Sequence, residues 1–195
     1  MGRTQGYDTA EVVGAARNLF WQRGFDAVSV ADVQQVTGLS RSSLYHAFGS
    51  MRGLFDAAVT DYLDTVVRPR LAPLRSPDVA PSALVDYLTG LSAAINRLGD
   101  GPEPTGCLLV GTAATSLGDD SAVRQVVAAY HAELLEAVTA GVRARYPDID
   151  ELGAGARARI VTGSIIAAMT LARVDRTEAM RLLDATVGTL TDDHA

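Results

Sequence analysis

Lysine is absent from this chain of 195 residues; all 17 of its basic side chains are arginine. No amine is therefore available for a phosphate-loop lysine, a Schiff base or a Ser-x-x-Lys nucleophile. Cysteine occurs once, at Cys107, which excludes an internal disulfide framework and a cysteine-rich zinc site. Histidine is scarce: His46, His131 and His194 lie far apart with no ligand spacing, so no bound metal is expected. Gly-x-Ser-x-Gly is missing, and Gly153-Ala-Gly-Ala follows no strand pattern, so it is no dinucleotide fingerprint. Neither an enzyme nor a cofactor is expected. No apolar run reaches membrane-spanning length, and the first eight residues lack the apolar stretch of a secretory signal, which makes a cytoplasmic location the expectation.

What is present is the composition of a globular protein with a core, 48% hydrophobic and 21% charged. The net charge of −6 is unevenly spread. Residues 1–55 carry five arginines (Arg3, Arg17, Arg23, Arg41, Arg52) against four acids (Asp8, Glu11, Asp26, Asp32), a net of +1. The other 12 arginines face 19 acids, a net of −7. A charge of +1 attracts DNA weakly, so phosphate contacts would depend on a few placed groups.

Apolar spacing is helical almost throughout. Val12, Ala16, Leu19 and Phe20 make one face, Leu84, Leu88, Leu91, Ile95 and Leu98 another, and Val123, Val127, Tyr130, Leu134 and Val138 a third. Capping pairs stand at Asp8–Glu11, Ser29–Asp32, Asp148–Glu151 and Asp175–Glu178. Gly24 and Gly99 sit where helix ends need a positive φ. The fold class is all-α, with about nine helices over 9–23, 30–36, 40–47, 51–67, 81–98, 106–117, 120–146, 149–173 and 176–190. The Pro- and Gly-rich stretches 68–77 and 99–105 read as irregular connections.

The most informative stretch is 29–48. Val30, Val33 and Val36 give a short helix an inner face, Gly38 supplies a tight turn, and Leu39 plugs the angle between helices. Ser40 caps a second short helix whose Leu44 and Phe48 point inward. Arg41, Ser42, Tyr45 and His46 are left on the outer side. Arginine can fork onto guanine O6 and N7, serine adapts to either base edge, and tyrosine and histidine can donate to phosphates. The helix start offers free N–H groups to a phosphate as well.

Residues 10–55 resemble the DNA-binding domain of the tetracycline-repressor (TetR) family. The matching positions are Arg23, Gly24, Phe25, Ser29, Val30, Gly38, Leu39, Ser40, Leu44, Tyr45, Phe48, Ser50 and Leu54. The resemblance implies a three-helix helix-turn-helix domain over 1–55 and a larger helical effector-binding and dimerisation domain over 56–195. It implies a homodimeric repressor of a palindromic operator in double-stranded DNA, released by a small-molecule effector. Ser29, Tyr45 and His46 would touch phosphates, with Ser40 at the helix start, and Arg41 and Ser42 would reach bases. Three positions depart from the pattern: Gln34 replaces a small residue, Ala47 a bulkier polar one, and Met51 a phosphate-binding lysine. Arg52 either takes over that contact or the contact is lost. A helical protein-interaction module without DNA binding is the alternative.

After residue 56 the motifs are weaker. Gly106-Cys107-Leu108-Leu109-Val110 resembles the start of the sixth helix in one branch of the family. Tyr62, Tyr87, Leu91, Cys107, Leu108, Tyr130, Leu134 and Met169 are the candidate pocket residues; with no charge among them, the expected effector is apolar or neutral. Cys107, flanked by apolar residues, reads as a buried thiol, with a sensing role as the alternative. Ile160, Gly163, Ser164, Ala167 and Leu171, with Met180, Leu183 and Val187 from the last helix, are the candidate dimer interface, because small residues allow close helix approach.

Overall fold

The computed structural model describes residues 7–97 and 104–191, so the expected helix end at Gly99 lies outside the described residues. The described residues contain helices and turns and no strand. Helix α1 (Thr9–Arg23) starts on Asp8, whose side chain accepts from the Ala10 N–H at 2.8 Å, and stops at Gly24, where φ is 76°. Ser29 and Asp32 form a reciprocal capping box at the start of α2 (Val30–Thr37). Gly38 turns the chain at φ 70°, and Ser40 caps α3 (Arg41–Phe48) by accepting from the Ser43 N–H. Ser50 does the same for α4 (Met51–Tyr62), accepting from the Gly53 N–H at 2.9 Å. Each cap satisfies a backbone donor that the first turn leaves unpaired. One expectation fails here: α2 buries Val33 fully, while Val36 is 45% exposed and faces solvent.

The helical path does not end in an irregular Pro-rich connection. A π-helical turn (Leu63–Val67) follows α4, then α5 (Arg68–Leu71) and a 3₁₀ turn (Ala72–Arg75). Pro69 and Pro73 each fall at the start of a segment, where a missing N–H costs least, and the wide π turn absorbs the ring that would crowd a regular helix. Fully buried Leu71 and Leu74 hold the extension against the core.

Helix α6 (Ala83–Arg97) buries Leu84, Leu88, Leu91 and Ile95, as the stripe predicts. Helix α7 (Leu108–Ala113) is shorter than expected. Thr115 caps a separate 3₁₀ turn (Ser116–Asp119), and Asp26 accepts from both the N–H and the hydroxyl of Ser116. Helix α8 (Ser121–Arg145) starts on Asp120. Helix α9 (Glu151–Leu171) is capped by Asp150 rather than Asp148, and α10 (Arg176–Thr191) closes the described chain.

Helix α1 packs on α4 and α2, α10 on α6 and α9, and α8 on α9. The buried side chains form one continuous cluster, from Phe20, Leu44 and Phe55 to Leu183 and Leu190. Among the described residues no helix is long and apolar enough to cross a membrane.

Candidate functional site

Two places on this scaffold collect side chains that packing does not explain. The first is the outer face of α3. Leu44 is fully buried and Leu39 nearly so, which fixes the rotation of the helix and turns Arg41, Ser42, Tyr45 and His46 outward. The Arg41 guanidinium lies 5.6 Å from the centre of the Tyr45 ring, so the two side chains steady each other one helical turn apart. The Ser40 hydroxyl stands 2.9 Å from those of Ser42 and Ser43, a hydroxyl cluster around the helix start. Ser29 is exposed, and its hydroxyl is engaged by Asp32, donating at 2.5 Å. Bonds from the Ser29 hydroxyl and N–H, then from Arg23, hold the Asp32 carboxyl down at about 2.

Arg52 does not join this face, which corrects the expectation that it supplies a phosphate-binding charge. Its Nε donates to Asp56 at 2.8 Å, and its Nη atoms reach the two Asp120 carboxylate oxygens at 2.8 and 3.4 Å. The Arg52 guanidinium is the main reason that the Asp120 carboxyl is lowered to about 2. Asp120 also caps α8, so this pair ties the start of α4 to the start of α8. Met51 is half-buried against the core, which leaves the α4 N-terminus with backbone N–H groups alone.

The second place is a cavity of about 290 Å³ among α1, α4 to α6, α8 and α9. Six of the eight sequence candidates line it: Tyr62, Tyr87, Leu91, Cys107, Tyr130 and Met169. Leu108 and Leu134 do not; both are buried in the core, where their helices pack together. The Tyr130 hydroxyl lies 3.7 Å from the Cys107 sulfur. Burial pushes the phenols of Tyr62, Tyr87 and Tyr130 well up, with Cys107 adding to each, so all three are neutral donors.

The expectation of an uncharged lining is also corrected, because Arg70 and Arg97 both reach the wall. Arg70 donates to the Val66 carbonyl at 2.7 Å, and its charge opposes the upward push on Tyr62 and Tyr87. Sequence reasoning missed it because 68–77 read as an irregular connection rather than as continuing helix. Trp21 was missed because it lies outside the inner stripe of α1. Its ring meets Tyr62 edge-on at 4.8 Å, and its Nε1 donates to the carbonyls of Thr105 and Gly106. Gly106 has φ 73°, and a Cβ there would stand 2.4 Å from the Met169 carbonyl oxygen, so only glycine closes this wall. Arg173, just past α9, donates to the carbonyls of Trp21 and Gln22. The helix that braces α2 is thereby joined to the cavity.

Among the described residues the outer face of α9 is unpartnered. Ile160 is 70% exposed, Ala167 is exposed, and Gly163 looks onto open space. Leu152 and Val174 extend the apolar surface at 83% and 87% exposure. Ser164 is half-buried and bonds back to the Ile160 carbonyl, and Leu171 is half-buried. The stripe expected from the last helix is corrected. Leu183 is fully buried in the chain's own core, with Met180 and Val187 packed beside it, because α10 turns that side toward α6 and α9.

Comparison with known proteins agrees with this geometry. The family model for bacterial regulatory proteins of the tetR family matches residues 12–58. The HTH-type transcriptional repressor BdcR of Escherichia coli is 36% identical over 109 residues, 56% of this chain and 54% of that protein. The repressor ComR of the same organism is 30% identical over 132 residues, 67% of this chain and 61% of its own length. The chain thus spans a little over half the length of these curated relatives. Among solved structures, a cysteine-substituted CifR, a TetR family regulator complexed with 26-base-pair operator DNA, superposes with a TM-score of 0.79 at 26% identity, covering 96% of this chain and 98% of that one. SCO4454 from Streptomyces coelicolor shares the fold, with a TM-score of 0.76 at 19% identity over 94% of each chain. With its capped helix-turn-helix and its matching N-terminal residues, the chain carries over residues 12–58 the domain of the tetR family of bacterial regulatory proteins, and its whole fold is like that of such regulators.

Proposed function

We propose that the chain is a cytoplasmic, non-catalytic transcriptional repressor that binds a palindromic operator as a homodimer and is released from it by a small molecule. The observation that carries this reading is the outward set Arg41, Ser42, Tyr45 and His46 on a helix fixed by Leu39 and Leu44. Arg41 and Ser42 stand where base edges would be read. Ser29, Ser40, Tyr45, His46 and the α4 N-terminus stand where phosphates would be held. The relatives named as repressors, and the related regulator complexed with operator DNA, support the same assignment.

Residues 1–55 would read DNA, while 56–195 would bind the effector and dimerise. That division falls inside α4 (Met51–Tyr62), so one helix serves both tasks. Dimerisation would use the exposed face of α9 around Ile160, Gly163 and Ala167. An effector in the cavity would touch Trp21 of α1 and Tyr62 of α4 directly and favour a dimer whose two α3 helices no longer match successive major grooves. It acts only through unequal affinity for the two states, typically about 1–3 kcal/mol of coupling.

The test is selection of DNA sites from a random pool by the purified protein, followed by binding measured across salt concentrations. A two-fold symmetric motif with affinity falling steeply with salt is expected. Failure to enrich any motif would overturn the repressor reading and leave a helical interaction module.

A further inference from the structure

We propose that the cavity takes an organic anion, a small carboxylic acid with an aromatic or branched apolar body, rather than an uncharged molecule. This deepens the effector reading above and rests on it only for the consequence of binding, not for binding itself. The chain carries 23 acids, yet no Asp or Glu is among the described residues that line the cavity, whereas two arginines are. Arg97 has no carboxylate partner among the described residues. Arg70 bonds the Val66 carbonyl through Nη1 and forms no ion pair with a described residue, unlike Arg52 and Arg68, which are both satisfied by acids. Arginines exposed at a cavity rim with no carboxylate among its described residues are ready to fork onto an incoming one.

The rest of the wall suits such a molecule. Leu91, Ile95, Ile165 and Met169 offer apolar surface, and Trp21 presents a ring. At the buried end the hydroxyls of Tyr62 and Tyr130 and the thiol of Cys107 crowd together and can serve one more polar substituent. Arg70 and Arg97 belong to exposed positions while these groups are buried, so the carboxylate would sit at the mouth with the body pointing inward. A volume of about 290 Å³ lies at the small end of ligand sites, which run to about 300–1,000 Å³, and so excludes bulky anions.

Trp21 is the single tryptophan and lines the cavity, so its fluorescence reports occupancy without DNA. The probes are phenylacetate and 3-phenylpropionate, each paired with its primary amide, titrated into the full chain. Saturable quenching by an acid is expected, at least about tenfold tighter than by its amide, a factor worth 1.4 kcal/mol. Arg70→Gln with Arg97→Gln should abolish that preference while leaving the amide affinity and the circular dichroism unchanged. Arg97→Lys should keep it, and raised salt should weaken acid binding only. Equal affinity for acid and amide, a preference surviving in the double variant, or no quenching by either acid at millimolar concentration would each overturn the proposal. Site selection with the ligand-free protein is a separate measurement, so loss of the repressor reading and loss of the anion site are distinguishable.

Discussion

Arg41 and Arg52 are both cations near the proposed DNA face, and their surroundings set them apart. Arg41 is exposed and steadied by Tyr45, with no carboxylate partner among the described residues, so under the proposed function it is free to reach a base. Arg41→Ala is expected to cost about 1–3 kcal/mol on the selected operator and to relax preference at one symmetric position, with little change on random DNA. Gel shifts on both DNAs check this; equal losses would make Arg41 a phosphate contact. Arg52 is engaged by Asp56 and Asp120, so Arg52→Ala should leave the salt slope of DNA binding unaltered. Met51→Lys should steepen it by about one unit per half-site, because a new charge at the α4 start releases a counterion. The tie also has a defined pH window. Asp120 is lowered to about 2 in the folded chain, below the ordinary aspartate value of about 3.9. Its contribution is thus fully present above about pH 4 and is lost as pH falls toward 2. The stability of Asp120→Asn should run parallel to wild type above pH 4 and converge with it below, as followed by thermal melts.

Elements were legible in the sequence wherever their cause is local. Ser29 and Ser40 announce helix starts, and Gly24 and Gly38 announce ends, because a cap or a positive φ depends on one residue and its near neighbours. The continuation through Pro69 was not legible, since it depends on a π turn and on Leu71 and Leu74 meeting the core from a distance. Arg70 was lost to the cavity for the same reason. The two last helices show a second limit: apolar stripes that bury inside a chain and stripes that bury against a partner have the same spacing. Burial separates them. Ala167→Arg on α9 should keep the chain helical, shift its mass toward monomer in light scattering and weaken palindrome binding. Leu183→Ala on α10 should instead cost about 2–5 kcal/mol of stability and leave a folded remainder dimeric.

At the scale of the whole molecule, the helices of the proposed DNA face and the cavity share structure rather than merely adjoining. Trp21 donates to Thr105 and Gly106 while packing on Tyr62, so a ligand against its ring is felt in α1. Trp21→Phe retains the ring and removes both hydrogen bonds. Operator affinity without ligand should change little, and the weakening caused by a bound ligand should shrink; parallel titrations with and without ligand measure the difference. Helix α4 adds a mechanical constraint. From Arg52 to Tyr62 is ten residues, about 15 Å along the axis, and from Arg52 back to Ser50 is about 3 Å. If the Arg52–Asp120 pair is the fulcrum, a sideways displacement of about 1 Å at Tyr62 arrives at Ser50 as roughly 0.2 Å on that rise per residue. Translation is geared down fivefold while tilt passes undiminished, so under the proposed function such a lever would rotate α3 in the groove rather than lift it off the DNA.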